Sequence, residues 1–115
     1  MGALFKVPRL VDLDGLSVEV TTTDEPGVVS VTAWANDGAV VTVIWDEIAA
    51  SVHVRWVEDG VERWRLDREL ATKVSVREER GRVEFWIWSG MDGFRGQLVV
   101  SVAERVTVTD VFLQG

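Results

Sequence analysis

The chain has 115 residues, with 19 acidic and 12 basic side chains, one histidine, no cysteine and a formal net charge of −7. This length predicts one domain, residues 1–115, and the negative charge argues against nucleic-acid binding, which rests on basic surface. The lack of cysteine excludes disulfides and thiolate sites within the chain and fits a cytoplasmic protein. No apolar run has the length of a membrane span and no signal-peptide pattern is visible, so we expect no membrane partner.

The chain reads as an all-β domain. Apolar residues recur at every second position between turn signals, which is typical of antiparallel strands. After a loosely structured lead at residues 1–15, strands are predicted in this order: 16–22, 28–35, 39–45, 52–57, 61–66, 73–79, 83–89, 97–102 and from 106 onward. These short connections describe a meander of eight or nine strands. We expect the meander to close as a small β-barrel, because closure removes the free edges, with a two-sheet β-sandwich as the alternative.

The register of each hairpin follows from the rule that residues directly opposite each other share a face. A three-residue loop at 36–38 gives one continuous apolar face for the strands that it joins, and a loop at 103–105 brings Val106 and Val108 in beside Val102. A two-residue turn at 80–81 gives the pairs Val76–Phe85 and Val74–Ile87 inside and Arg77–Glu84, Ser75–Trp86 and Lys73–Trp88 outside. A three-residue loop at 58–60 places Glu62 on the inner face. In the last strand Asp110 would also point inward. We therefore expect a bulge that shifts the side-chain alternation of the last residues.

The strand at 83–89 has an ordinary core face and a second face that carries Trp86 and Trp88. Arginines of the preceding strands point outward in the same way. Side by side, these residues would form an outer surface that binds a partner by charge and stacking. The predicted surface consists of Trp86, Trp88, Arg55, Arg63, Arg65 and Arg77. In the alternative, the arginine stems only cover the tryptophans and pair with nearby acids such as Glu84.

Large apolar side chains also point outward elsewhere, for example Trp34, Ile44 and Val99. Exposed apolar area of this kind often marks an association surface, and we expect a homodimer. In the alternative, the N-terminal segment with Phe5 and Leu10 packs across one of these patches.

The predicted interior offers a second kind of site. Barrels of about eight strands are wide enough to hold one small ligand. An apolar molecule would lie among Trp45, Trp56, Trp64 and Phe85, under a glycine-rich lid loop with Met91, Asp92 and Phe94. Such a pocket could act by confinement, as a cyclase or isomerase does with few acid–base groups. In the alternative, the tryptophans simply fill a packed core.

The sequence favours a non-catalytic role. His53 is the single histidine, and no Ser or Asp has the spacing that would place it in a triad with this residue. Four carboxylates lie near strand ends without a diagnostic spacing: Asp46, Glu47, Asp92 and Asp110. No catalytic residue, metal ligand or cofactor is therefore predicted. A protein partner is a further interpretation. The net charge alone suggests an acidic, immunity-type inhibitor of a basic protein such as a toxin.

Overall fold

The computed structural model describes residues 5–91 and 94–114, and for Met91, Phe94, Leu113 and Gln114 it describes the backbone only. The described residues form one short helix and nine antiparallel strands, which confirms the all-β prediction. The elements in chain order are α1 (Leu10–Leu13), β1 (Glu19–Thr22), β2 (Val28–Trp34), β3 (Val40–Asp46), β4 (Ser51–Glu58), β5 (Val61–Arg68), β6 (Ala71–Glu79), β7 (Arg82–Met91), β8 (Phe94–Val102) and β9 (Val106–Gln114).

The strands divide into two sheets, in the orders β1-β2-β3-β4-β5 and β6-β7-β8-β9. Within each sheet every strand pairs with its neighbours in the chain, as in a meander, but β5 and β6 do not pair, and the described residues contain no closed barrel. The chain changes sheets at Leu70, whose φ of 56° turns the backbone sharply. Ala71 then donates its backbone N–H to the oxygen of Ala50, and β6 starts a new sheet instead of pairing with β5.

One cluster of buried side chains joins the two sheets. Trp45 and Val54 of the first sheet and Phe85, Ile87 and Leu98 of the second are almost fully buried in it. Because side chains alternate along a strand, each sheet contributes one face to this cluster and presents its other face outward. Burial of each large side chain contributes on the order of 2 kcal/mol, so the packed inner faces hold the fold together.

Three predicted registers are confirmed. Ala33 faces Val41 in the β2–β3 hairpin, and the β8–β9 hairpin begins with Val102 opposite Val106. In the β6–β7 hairpin every predicted pair is found, from Val76–Phe85 and Val74–Ile87 inside to Arg77–Glu84, Ser75–Trp86 and Lys73–Trp88 outside.

The β4–β5 hairpin differs from its prediction. Its turn has two residues, Asp59 and Gly60, both with positive φ, as a tight hairpin turn requires. Val57 therefore faces Glu62, which places Glu62 on the outer face and not on the inner one. The register then shifts by one residue at Arg63, a bulge that brings Trp64 opposite Trp56 on the inner face.

The bulge predicted for the last strand is wrong. β9 keeps a regular register throughout, and Asp110 lies opposite Leu98. The carboxylate thus points inward near the margin of the sheet, where Arg68 of the first sheet donates to it at 2.7 Å.

The predicted loop at 90–96 is largely strand in the described residues. β7 continues to Met91 and β8 starts at Phe94, and these two residues are paired. Of the predicted lid, Asp92 lies outside the described residues, and so do the side chains of Met91 and Phe94.

The segment predicted as a loose lead contacts both sheets. Phe5 and Leu13 are buried in the core. Lys6 accepts a backbone hydrogen bond from Val74 and donates one to Thr72, which covers the edge of β6. None of the helices in the described part of the chain is long and apolar enough to cross a membrane.

Candidate functional site

The predicted outer surface is divided between the two sheets. Three of its residues lie in the first sheet and three in the second: Arg55, Arg63 and Arg65 against Arg77, Trp86 and Trp88. Since the sheets pack through their inner faces, their outer faces point in opposite directions. The structure therefore does not bring the six residues together. The reason is the change of sheet at Leu70, which the short β5–β6 connection concealed.

On the second sheet, Trp86 and Trp88 stack with ring centroids 5.8 Å apart and planes inclined by 24°. The guanidinium of Arg77 lies 4.8 Å from the centroid of Trp86, and the ammonium of Lys73 lies 5.1 Å from that of Trp88. Trp86 also donates its indole N–H to Glu84. The cations occupy the ring faces on which a partner would stack, so this arrangement matches the covering role given above as the alternative.

On the first sheet the outer charges are mostly paired. Arg55 bonds Glu62 at 2.9 Å, and Arg63 lies 3.4 Å from Glu58. His53 lies beside Asp67 with 2.5 Å between Nδ1 and Oδ1, and this hydrogen bond holds the pKa of the Asp67 carboxyl below its usual value. All three pairs are exposed, and in the two arginine pairs the opposite charges neutralise each other on the sheet surface.

The four residues of the predicted interior pocket lie on the inner faces of the sheets. Trp45 and Phe85 are wholly buried, whereas Trp56 and Trp64 face each other across β4 and β5 and are partly buried. They pack against the common core. A ligand pocket among them stays a prediction.

Three connections lie side by side at one end of the first sheet, and with the adjoining residues Asp46 and Ala71 we call this region the turn end: residues 23–27, 46–50 and 69–71. Backbone hydrogen bonds of 2.8 Å join them, from Glu47 N–H to the oxygen of Gly27 and from Ala71 N–H to that of Ala50. Gly27 has a φ of 81°, and a Cβ at this position would lie 3.2 Å from Cγ1 of Ile48. The glycine thus allows the second turn to fold against the first.

The turn end is strongly acidic. Its carboxylates belong to Asp24, Glu25, Asp46, Glu47 and Glu69. None of them forms an ion pair with a cation of residues 5–91 or 94–114. Five carboxylates elsewhere in these residues do form one, whereas others, such as Glu79 and Glu104, do not. Two apolar side chains project among them, Ile48 with 75% and Leu70 with 52% of its surface exposed.

A groove of about 450 Å³ runs between the turn end and the N-terminal segment. Glu25 and Glu47 line it together with Arg9, which is already paired with Asp12 at 3.1 Å. Trp45 belongs to the groove wall although its side chain is fully buried, and its indole N–H has no acceptor in the described part of the chain.

Sequence reasoning missed the turn end. The signal was present as two Asp-Glu pairs, at 24–25 and 46–47, because alternate connections of a meander lie at the same end of the sheet. The sequence analysis named only Asp46 and Glu47 of these four, as carboxylates near a strand end, and did not connect them with residues 24–25. Within the described ranges, no group of three or more His, Asp or Glu residues is arranged to hold a metal ion.

No protein-family model and no curated protein matches the sequence. The fold is similar to that of one chain in a solved structure, a contact-dependent growth inhibition toxin–immunity protein complex from Klebsiella pneumoniae 342. The TM-score is 0.78, and the match covers 97% of this chain and 100% of that one. Sequence identity is 9%, so the likeness concerns the fold.

Proposed function

We propose that this chain is a non-catalytic inhibitor of the immunity type, which binds a basic protein and blocks its action. The observation that carries the proposal is the acidic turn end, where five carboxylates stand without a cationic partner among the described residues. The net charge of −7 supports it. So does the fold shared with a chain of a toxin–immunity protein complex.

The physical basis is electrostatic complementarity. Carboxylates that are not neutralised within the chain attract a cationic partner over the distance of the Debye length and raise its rate of association. Blocking a partner needs a rigid surface but no catalytic group. We regard the two sheets as an open sandwich that presents its connecting turns on such a rigid support, and we place the inhibition in the cytoplasm.

The test starts from the tagged chain expressed in its source organism. Captured proteins are identified by mass spectrometry, and each basic one is then expressed alone and together with this chain. We expect one basic protein that arrests growth alone, is harmless with this chain, and forms a one-to-one complex that weakens as salt is raised. If every captured basic protein keeps its full effect in the presence of this chain, the proposal is wrong.

Self-association through the outer face of the second sheet is a second candidate. The stacked Trp86–Trp88 pair, with partly buried Val99 opposite Trp86, favours it. Native mass spectrometry tests this directly. A dimer that Trp86→Ala dissociates supports the candidate, and a monomer at micromolar concentration rejects it.

A further inference from the structure

We infer that the turn end is the surface on which the basic partner docks, and that it receives a loop with Lys or Arg beside an apolar side chain. This inference rests on the proposed function and specifies its binding surface. It commits to one kind of occupant, a segment of a cationic protein.

Charge complementarity is the first step. Glu25 and Glu47 line the same groove, and the one arginine on its wall, Arg9, already pairs with Asp12. A cation that enters the groove therefore meets two carboxylates with no competing partner from the described residues. Asp46 differs from these two, because its carboxylate accepts the backbone N–H groups of Ile48 and Ala49 and so shapes the turn.

The apolar side chains give the second step. Ile48 and Leu70 project from adjacent turns that a backbone hydrogen bond between Ala71 and Ala50 holds together. Large side chains with half or more of their surface exposed add little to the core, but on a partner they can fill shallow depressions. The partner should therefore carry an apolar side chain next to its Lys or Arg residues.

Trp45 lies on the wall of the same groove, and its side chain is fully buried. Its indole N–H has no acceptor among the described residues, and the same holds for that of Trp56, which does not line the groove. This N–H therefore adds no contact for the partner. Because Trp45 lies on the wall, its indole signal reports whether a segment occupies the groove.

The experiment uses a defined probe, the end-blocked peptide Ser-Lys-Leu-Arg-Leu-Lys-Ser, titrated into the isotope-labelled chain. NMR spectra follow the backbone amides and the six indole N–H signals. We expect shifts at the turn end, residues 23–27, 46–50 and 69–71, and at the Trp45 indole. A peptide with serine in place of both leucines should bind about threefold more weakly, because the apolar contact is lost.

Two double variants separate a local site from the effect of net charge. Glu25→Gln with Glu47→Gln should weaken peptide binding about tenfold, since each lost surface ion pair accounts for about threefold. Glu79→Gln with Glu104→Gln is the matched control. It changes the net charge equally, but its residues lie at the far end of β6 and in the β8–β9 loop, and we expect binding close to that of the wild type.

Shifts at other residues, no binding, or equal weakening by the control pair would each overturn the docking surface. None of these results decides whether the chain inhibits a basic protein, because the growth experiment above measures that separately. Conversely, a correctly placed peptide together with no neutralised partner would retain the surface and reject the inhibitor function.

Discussion

Arg68 of β5 and Asp110 of β9 form an ion pair between the two sheets, with 2.7 Å between Nη2 and Oδ2. The side chains are 15% and 32% exposed, so the pair is largely shielded from water. Arg68 also lies over the ring of Phe112, with 4.7 Å to its centroid. The arginine therefore links the edges of the two sheets and accounts for an inward-facing aspartate.

We expect Asp110→Asn to lower the free energy of unfolding by about 1–2 kcal/mol, because it leaves the Arg68 charge partly buried without its partner. Urea denaturation of this variant, of Arg68→Met and of the double variant measures the coupling. The double variant should lose less than the two single losses added together. Strict additivity would show that the ion pair contributes nothing to the joining of the sheets.

Gly96 allows the close approach of β8 to its neighbours. A Cβ at this position would lie 2.8 Å from Oγ of Ser89 and 3.0 Å from the ring of Phe112. We expect Gly96→Ala to destabilise the chain by about 1–3 kcal/mol through overpacking. Adding Ser89→Ala removes the nearest contact and should restore part of the loss, as thermal unfolding would report. Wild-type stability of Gly96→Ala would contradict this account.

Deletion of Arg63 should be tolerated. Arg63 is the extra residue of the bulge, so without it Glu62 still faces Val57 and Trp64 still faces Trp56. We expect a cooperative unfolding transition with a loss below about 2 kcal/mol. Deletion of Arg65 is the matched control, since it would move Leu66 to the outer face and disrupt the core. An equal loss of stability from both deletions would show that the bulge does more than set which side chains of β5 point inward.

Glu78 contributes stability that depends on pH. Its carboxylate accepts hydrogen bonds from the hydroxyl and the backbone N–H of Ser17, at 2.7 and 2.6 Å, and these bonds lower its pKa. Because the folded-state pKa is depressed, the contribution is complete above the usual glutamate range and is lost as the pH falls below about 4. Urea unfolding of the wild type and of Glu78→Gln between pH 7 and 3 measures this. The difference in stability should shrink with acid, and a constant difference would contradict it.

The sequence predicts local pairing well and long-range arrangement poorly. The β6–β7 register was predictable because a two-residue turn at 80–81 places Val76 opposite Phe85 on the inner face and Arg77 opposite Glu84 on the outer face. The β4–β5 hairpin shows the limit. Its inner residues Trp56 and Trp64 were predicted to share a face. The bulge at Arg63, which shifts the pairing by one residue, was not predicted, because the flanking residues alternate as they would in a regular strand.

The candidate site was predicted only in part for the same reason. Alternation alone determined which side chains point outward, including Trp86, Trp88 and the arginines of β4 and β5, since that depends on neighbours along the strand. Tertiary structure decided which outward residues meet. A turn of the backbone at Leu70 sends the chain into a second sheet, which separates the arginines from the tryptophans. Contacts between elements far apart in the chain depend on how whole sheets pack, and no local pattern encodes that.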